Sequence, residues 1–143
     1  MLNYRVLQIG LGPLGQSIAA QIASHAHFQT VAGVDLNPEL AGKQFNVFNK
    51  DLKAPIYASI DEAIAQHKVD VAMVTTVSSL EKAAPTFLHL FNKKIPVVSS
   101  CEELSYPWLT HPDLSAQLDD AAKHNHVAIL GTCLLYTSDA ADE

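Results

Sequence analysis

Gly10, Gly12 and Gly15 stand in the spacing G-x-G-x-x-G within Ile9-Gly10-Leu11-Gly12-Pro13-Leu14-Gly15, and Asp35 lies twenty residues further on. Residues of these types at this spacing can hold a pyrophosphate and a ribose. The first glycine permits a tight turn, the second lets the backbone approach a phosphate, and the third lets a helix pack closely on a strand. Unpaired N–H groups at the start of that helix, together with its dipole, favour an anion there. Pro13 suits the first helical turn, where its missing N–H is not needed. An acid closing the next strand is placed to accept from the ribose hydroxyls of NAD.

That chemistry requires a strand, the glycine turn, a helix, a second strand and then the acid. The chain supplies each in order. Residues 4–9 form an apolar, strand-like run, Leu14, Ile18 and Ile22 form an apolar stripe at helical spacing, and Thr30-Val31-Ala32-Gly33-Val34 leads into Asp35. The reading is a Rossmann-type nucleotide-binding unit. The competing reading is a purely structural glycine turn, with Asp35 a solvated strand end.

Further strands are predicted at 56–58, 69–75, 95–99 and 127–131, with helical patterns between most of them. Near-continuous apolar runs such as 69–75 fit strands buried on both faces. Alternation of strand and helix implies an α/β fold, a doubly wound parallel sheet of about six strands in the order 3-2-1-4-5-6, with ligand at the carboxyl ends. Ser59-x-x-Glu62, Ser78-x-x-Glu81 and Ser100-x-x-Glu103 each read as a capping box. Phe87, Leu88 and Phe91 mark one helix, in which Pro85 predicts a late start or a kink. A further helix is expected over 113–126, with Leu114, Leu118 and Ala121 or Ala122 inward. Residues 36–54 show no clear element. With Phe45, Val47 and Phe48 as anchors, they read either as a functional loop or as a loop packed by its own aromatics.

The chain has 143 residues, enough for one domain, or one domain with a stub. Nine basic against fifteen acidic residues give a net charge of −6, which argues against nucleic acid as the main partner. No run is long and apolar enough to span a membrane, and the N-terminus lacks a signal-peptide layout, so a cytoplasmic protein is expected. Two distant cysteines make no disulfide scaffold. His25-x-His27 and His124-x-His126 resemble metal pairs but lack a third ligand nearby, so no metal is expected. Lys93-Lys94 reads as a helix C-terminal pair, and Tyr106-Pro107-Trp108 as an exposed aromatic turn suited to packing on a neighbouring domain.

After Thr132 the character changes. Cys133-Leu134-Leu135-Tyr136-Thr137-Ser138-Asp139-Ala140-Ala141-Asp142-Glu143 resembles translated adapter read-through at the ends of assembled metagenomic reading frames. The expected organisation is a dinucleotide-binding domain over 1–132, a non-native tail over 133–143, and a missing C-terminal substrate domain.

Three stretches carry a family resemblance. They are the glycine motif with its strand, then Val98-Ser99-Ser100-Cys101-Glu102-Glu103-Leu104-Ser105-Tyr106-Pro107-Trp108, and Ala128-Ile129-Leu130-Gly131-Thr132. Together they resemble the N-terminal domain of the dihydrodipicolinate reductase-like family, and within it the branch of 2,4-diaminopentanoate dehydrogenases. Thr75-Thr76-Val77-Ser78-Ser79, where dihydrodipicolinate reductases carry a glycine-containing turn, favours that branch. The resemblance implies an NAD(P)-dependent oxidoreductase acting on C=N or CH–NH bonds of a small amine or imine, homo-oligomeric when full length.

It further implies cofactor contacts at Gly10, Gly12, Pro13, Leu14, Gly15 and Asp35, with Thr75, Thr76 and Ser78 toward the nicotinamide half. Cys101 and Glu102 would border the nicotinamide or substrate, and the proton donor would lie in the missing domain, leaving this chain alone inactive. Cys101 reads either as a thiol activated at a helix start or as a buried structural one. No Arg follows Asp35, so NAD(H) is favoured over NADP(H), unless Lys43 folds back. Other readings are a stand-alone NAD-sensing module, a glucose–fructose-type dehydrogenase domain, and an S-adenosylmethionine-dependent transferase.

Overall fold

The computed structural model describes residues 3–45 and 52–132. Val47, Phe48 and the tail over 133–143 lie outside them. Six strands, β1 (Tyr4–Ile9), β2 (Phe28–Val34), β3 (Ile56–Tyr57), β4 (Val71–Val74), β5 (Val97–Ser99) and β6 (Ile129–Gly131), form one sheet in the order β3-β2-β1-β4-β5-β6. Every pairing is parallel. The crossovers carry α1 (Pro13–Ala23), α2 (Ile60–Gln66), α3 (Leu80–Asn92) and α4 (Pro112–His124), with a 3-10 helix at Glu102–Leu104. The doubly wound α/β architecture expected from the sequence is the one observed. Among the described residues no helix is long and apolar enough to cross a membrane.

The main core joins Leu7, Ile9, Ala72, Val74 and Val97 of the sheet to Leu80, Ala84, Phe87, Leu90 and Phe91 of α3. A smaller cluster gathers Leu11, Ala19, Phe45, Leu52, Ala54 and Ile56. It explains the segment after β2: Phe45 is buried there, and its amide donates to the Ala54 carbonyl at 2.8 Å beside an antiparallel Gln44–Pro55 bridge. Its own aromatic therefore packs that segment.

Several strands begin later than the apolar runs predict, for identifiable reasons. Asp70 stands just ahead of β4, its carboxylate taken up by the Arg5 amide at 2.8 Å and the Arg5 guanidinium at 3.0 Å. Ile95 and Val127 are used to close the preceding helices. The Ile95 amide donates to Leu90 at 3.0 Å and that of Val127 to Ala122 at 2.9 Å, while Lys94 (φ 60°) and His126 (φ 58°) take the left-handed position. Both are the six-to-one closures of a Schellman motif. His126 thus serves a helix end, and among the described residues no three His, Cys, Asp or Glu side chains gather as a metal site.

The helices depart from expectation at three points. In α1 the buried residues are Gly15 and Ala19, whereas Leu14 is 44 % exposed. Close packing on the sheet selects the smallest residues, so the Leu14–Ile18–Ile22 stripe lies toward the rim. In α3 the helix starts at Leu80 and runs through Pro85. The ring forfeits one helical hydrogen bond, while buried Ala84 and Phe87 on either side hold the segment to the core. Of the three capping boxes, Ser59 is a cap, its hydroxyl accepting from the Glu62 amide at 3.2 Å. Ser78 and Ser100 are not: the residues preceding α3 and the 3-10 helix are Ser79 and Cys101, and neither makes a side-chain cap.

Candidate nucleotide cavity

A cavity of about 680 Å³ opens at the carboxyl ends of β1, β2 and β4, within the size range of small-molecule sites. Gly10, Leu11 and Gly12 form its floor, Asp35 and Leu36 flank it after β2, and Thr75, Thr76 and Val77 flank it after β4.

The glycine turn is held from several directions. Gly10 has φ +96°, a conformation that L side chains rarely adopt, and a Cβ there would meet the Thr75 carbonyl oxygen at 2.8 Å. The Gly10 carbonyl accepts from Gln8 Nε2 at 3.1 Å and from Thr75 Oγ1 at 3.2 Å. Gln8 is fully buried and also donates to Thr75 Oγ1 at 3.0 Å. Thr75, expected to serve the nicotinamide half, therefore spends its hydroxyl on tying β4 to the turn while its residue still lines the cavity.

Gly12 differs from its neighbours. Its backbone is extended (φ −69°, ψ −176°), and a Cβ built on it meets nothing within 4 Å. The protein's own packing does not require glycine there. Gly12 is also the N-cap of α1, which has no side-chain cap and no acidic residue in its first turn. Its leading amides are left for an outside acceptor.

Asp35 is bound to the same loop. One carboxylate oxygen accepts from the Leu11 amide at 2.7 Å and the other from the Asn37 amide at 2.8 Å. These bonds fix the carboxylate while each oxygen retains a further acceptor position.

The cavity excludes some residues named from the sequence and includes others that were missed. Pro13, Leu14, Gly15, Ser78, Cys101 and Glu102 are not among its lining residues. Cys101 is buried, and its thiol donates to the Ser78 carbonyl at 3.1 Å. Burial pushes that thiol above its ordinary pKa, which describes a structural thiol rather than an activated one. Glu102 is exposed beside it. The missed residues include Leu36 and Val77, Ser59 at the cap of α2 with Ile60 and Asp61 behind it, and Lys82, Thr86 and His89 of α3. His89 Nε2 lies 2.8 Å from Asp61 Oδ1, joining the two helices beside the cavity. The sequence shows that Lys82, Thr86 and His89 share one polar face of α3, spaced i, i+4, i+7, but not that this face meets a cavity.

Glu103 caps α3 from outside. Its Oε1 accepts from the Leu80 amide at 2.8 Å, and His111 Nε2 approaches the same oxygen at 3.5 Å. The Leu80 bond draws this carboxyl below its usual range, desolvation opposes it less strongly, and His111 adds a smaller lowering. A carboxyl with a lowered folded pKa contributes stability above its unfolded value, and that contribution disappears as pH falls through the folded one. Protection of the Leu80 amide from hydrogen exchange, corrected for intrinsic rates, should therefore hold constant at neutral pH and decline on acidification below the ordinary glutamate range. A pH-independent protection factor would show that Glu103 is not the cap in solution.

The family model for the CoA binding domain matches residues 2–103. Among curated proteins, 2,4-diaminopentanoate dehydrogenase of Acetoanaerobium sticklandii is 29 % identical over 135 residues, covering 92 % of this chain and 38 % of its own length. Among solved structures, an amine dehydrogenase from Mycobacterium smegmatis superposes with a TM-score of 0.81 at 26 % identity, over 90 % of this chain and 39 % of that one. GenD2 from gentamicin A biosynthesis, solved with NAD, shares the fold with a TM-score of 0.72 at 18 % identity, over 92 % of this chain and 34 % of that one. The chain thus spans less than two fifths of each of these relatives, all three of which are longer proteins. The matched segment runs from ahead of β1 into the 3-10 helix, and on it the chain belongs to the CoA-binding domain family, whose Rossmann-type sheet it shares with dehydrogenases.

Proposed function

We propose that the cavity binds an adenine dinucleotide, NAD(H) in preference to NADP(H), and that the chain is the cofactor-binding part of an oxidoreductase. The carrying observation is the juxtaposition at Gly12: open space over an extended glycine at a helix start, with Asp35 fixed one residue away on the Leu11 amide. The Gly12 backbone and the Leu14 amide at the start of α1 would hold the pyrophosphate, with Pro13, which has no N–H, and Gly15, packed on the Gly10 carbonyl, shaping the turn. Asp35 would accept from the adenosine ribose hydroxyls. Thr75, Thr76 and Val77, on the far side of β1 from Asp35, would contact the nicotinamide half, with Ser78, Cys101 and Glu102 behind or beside it. A bound nicotinamide supplies hydride transfer; this chain's residues supply position and exclude water.

The names of the relatives at 29 % and 26 % identity support a whole protein that interconverts an amine with its imine. Its partners would be a small amine or imine and copies of itself, in the cytoplasm. Nucleic acid is disfavoured by the net charge of −6.

Titration of the chain with NADH, NADPH and CoA separates the readings, since all three present an adenosine diphosphate. A 2′-phosphate would face the fixed carboxylate of Asp35, whose cost sets NADH at least about tenfold tighter than NADPH. Equal or tighter NADPH binding rejects the preference, and CoA binding without NADH binding rejects the dinucleotide.

A further inference from the structure

The segment Ser99–Glu103 lies within one of the three stretches that carry the family resemblance, yet the cavity lining includes none of it. Besides the two bonds from Thr132 to the Ser99 carbonyl, its hydrogen bonds bracket the loop over residues 75–79, which leaves β4 and lines the cavity with Thr75, Thr76 and Val77. At the strand end, the Ser100 amide and the Ser99 hydroxyl both donate to the Val74 carbonyl, at 3.1 and 3.0 Å. At the loop's exit, the Ser78 carbonyl accepts from the Cys101 thiol at 3.1 Å and the Glu103 amide at 3.4 Å. The Leu80 amide, first of α3, donates to the Glu103 carboxylate at 2.8 Å. Ser79, the loop's own residue at the cap position, makes no side-chain cap.

The loop is thus held at its two ends by different partners. Thr75 fixes the entry to the glycine turn, its amide donating to the Ile9 carbonyl at 2.9 Å. Cys101 and Glu103 fix the exit. Between them Thr76 and Val77 are exposed, with Val77 41 % accessible. Because β4 flanks β1 on the side away from β2, these residues face the half of a dinucleotide that Asp35 does not hold.

We propose that Glu103 is a positioning residue for the nicotinamide half of the cofactor, acting with Cys101 to set the loop that forms that wall. The proposal rests on the dinucleotide reading above. It separates two roles within the Cys101-Glu102-Glu103 run: Glu103 and Cys101 turn back onto the β4–α3 loop, and Glu102 is left exposed.

The test compares NADH with ADP-ribose, which has the pyrophosphate and both riboses but no nicotinamide. In Glu103→Ala, hydrogen exchange across residues 76–80 of the nucleotide-free chain should speed up about fivefold, the loss expected for a helix cap. NADH should bind about fivefold more weakly, while ADP-ribose stays within about twofold of the parent chain. Glu103→Gln retains an acceptor for the Leu80 amide and should lie nearer the parent in both measurements. Cys101→Ala removes the thiol donor to Ser78 and a buried sulfur but keeps the Glu103 amide bond and the Leu80 cap; it should shift the same ratio in the same direction and guards against Glu103→Ala failing to fold. Unchanged exchange at 76–80, or equal weakening of NADH and ADP-ribose, overturns the positioning role. A parent chain that binds neither ligand overturns the dinucleotide reading beneath it, and with it this role.

Discussion

Gly15→Ala should destabilise the domain by about 3 kcal/mol, the upper part of the range for forcing a methyl into filled space. A Cβ on Gly15 would fall within the Gly10 carbonyl oxygen and 2.8 Å from Thr75 Oγ1. Neither neighbour is a flexible side-chain end that could swing away. The Gly10 carbonyl belongs to a turn with φ +96° and accepts from Gln8 and Thr75. Thr75 Oγ1 is itself held by Gln8. Relief requires lifting α1 from the sheet, which would open the cluster around Leu11 and Ala19. For a domain of this length the melting temperature should fall by roughly 10 °C. A thermal melt within about 2 °C of the parent would mean that α1 sits further from β1 than this packing has it.

Gly12→Asp should have the opposite signature, with stability kept and binding lost. The Gly12 backbone is extended, as many residues adopt, and the space over it is open. Aspartate is a favoured N-cap and its charge suits a helix start, so α1 should gain up to about 1 kcal/mol. On the proposed reading that carboxylate would occupy the pyrophosphate position and repel it. Steric exclusion alone is worth about 1–3 kcal/mol, and charge repulsion adds to it, so NADH affinity should fall about a hundredfold or more. Calorimetric titration alongside a melt reads both effects on one sample. Unimpaired NADH binding would place the phosphates elsewhere and remove the glycine loop from the site. The two substitutions, three residues apart in one motif, thus separate the glycine required by packing from the one left open for a ligand.

The local features were legible because they are encoded within a few residues. The glycine spacing, the strand-to-helix switch at Pro13 and the acid at the end of β2 all lie within a single βαβ unit, and the apolar runs sufficed for six strands and their order. The errors share a cause. Ser78-x-x-Glu81 satisfies the local rule for a capping box, but the Leu80 amide found a better acceptor in Glu103, twenty-three residues away. Leu14, Ile18 and Ile22 satisfy the helical period, but the sheet admits α1 only through Gly15 and Ala19. The apolar runs at 95–99 and 127–131 predict strands throughout, yet Ile95 and Val127 close helices by bonding back to Leu90 and Ala122.

The sequence by itself determined the fold class, the sheet order, the glycine loop and the place of Asp35, because period, spacing and turn chemistry act over short distances. Only the tertiary structure decided which glycine is filled and which is open, what caps α3, and that Lys82, Thr86 and His89 share a cavity with Asp61. Those outcomes depend on which surfaces meet when the crossovers fold onto the sheet, and a contact between segments distant in the chain leaves no signature in either segment alone.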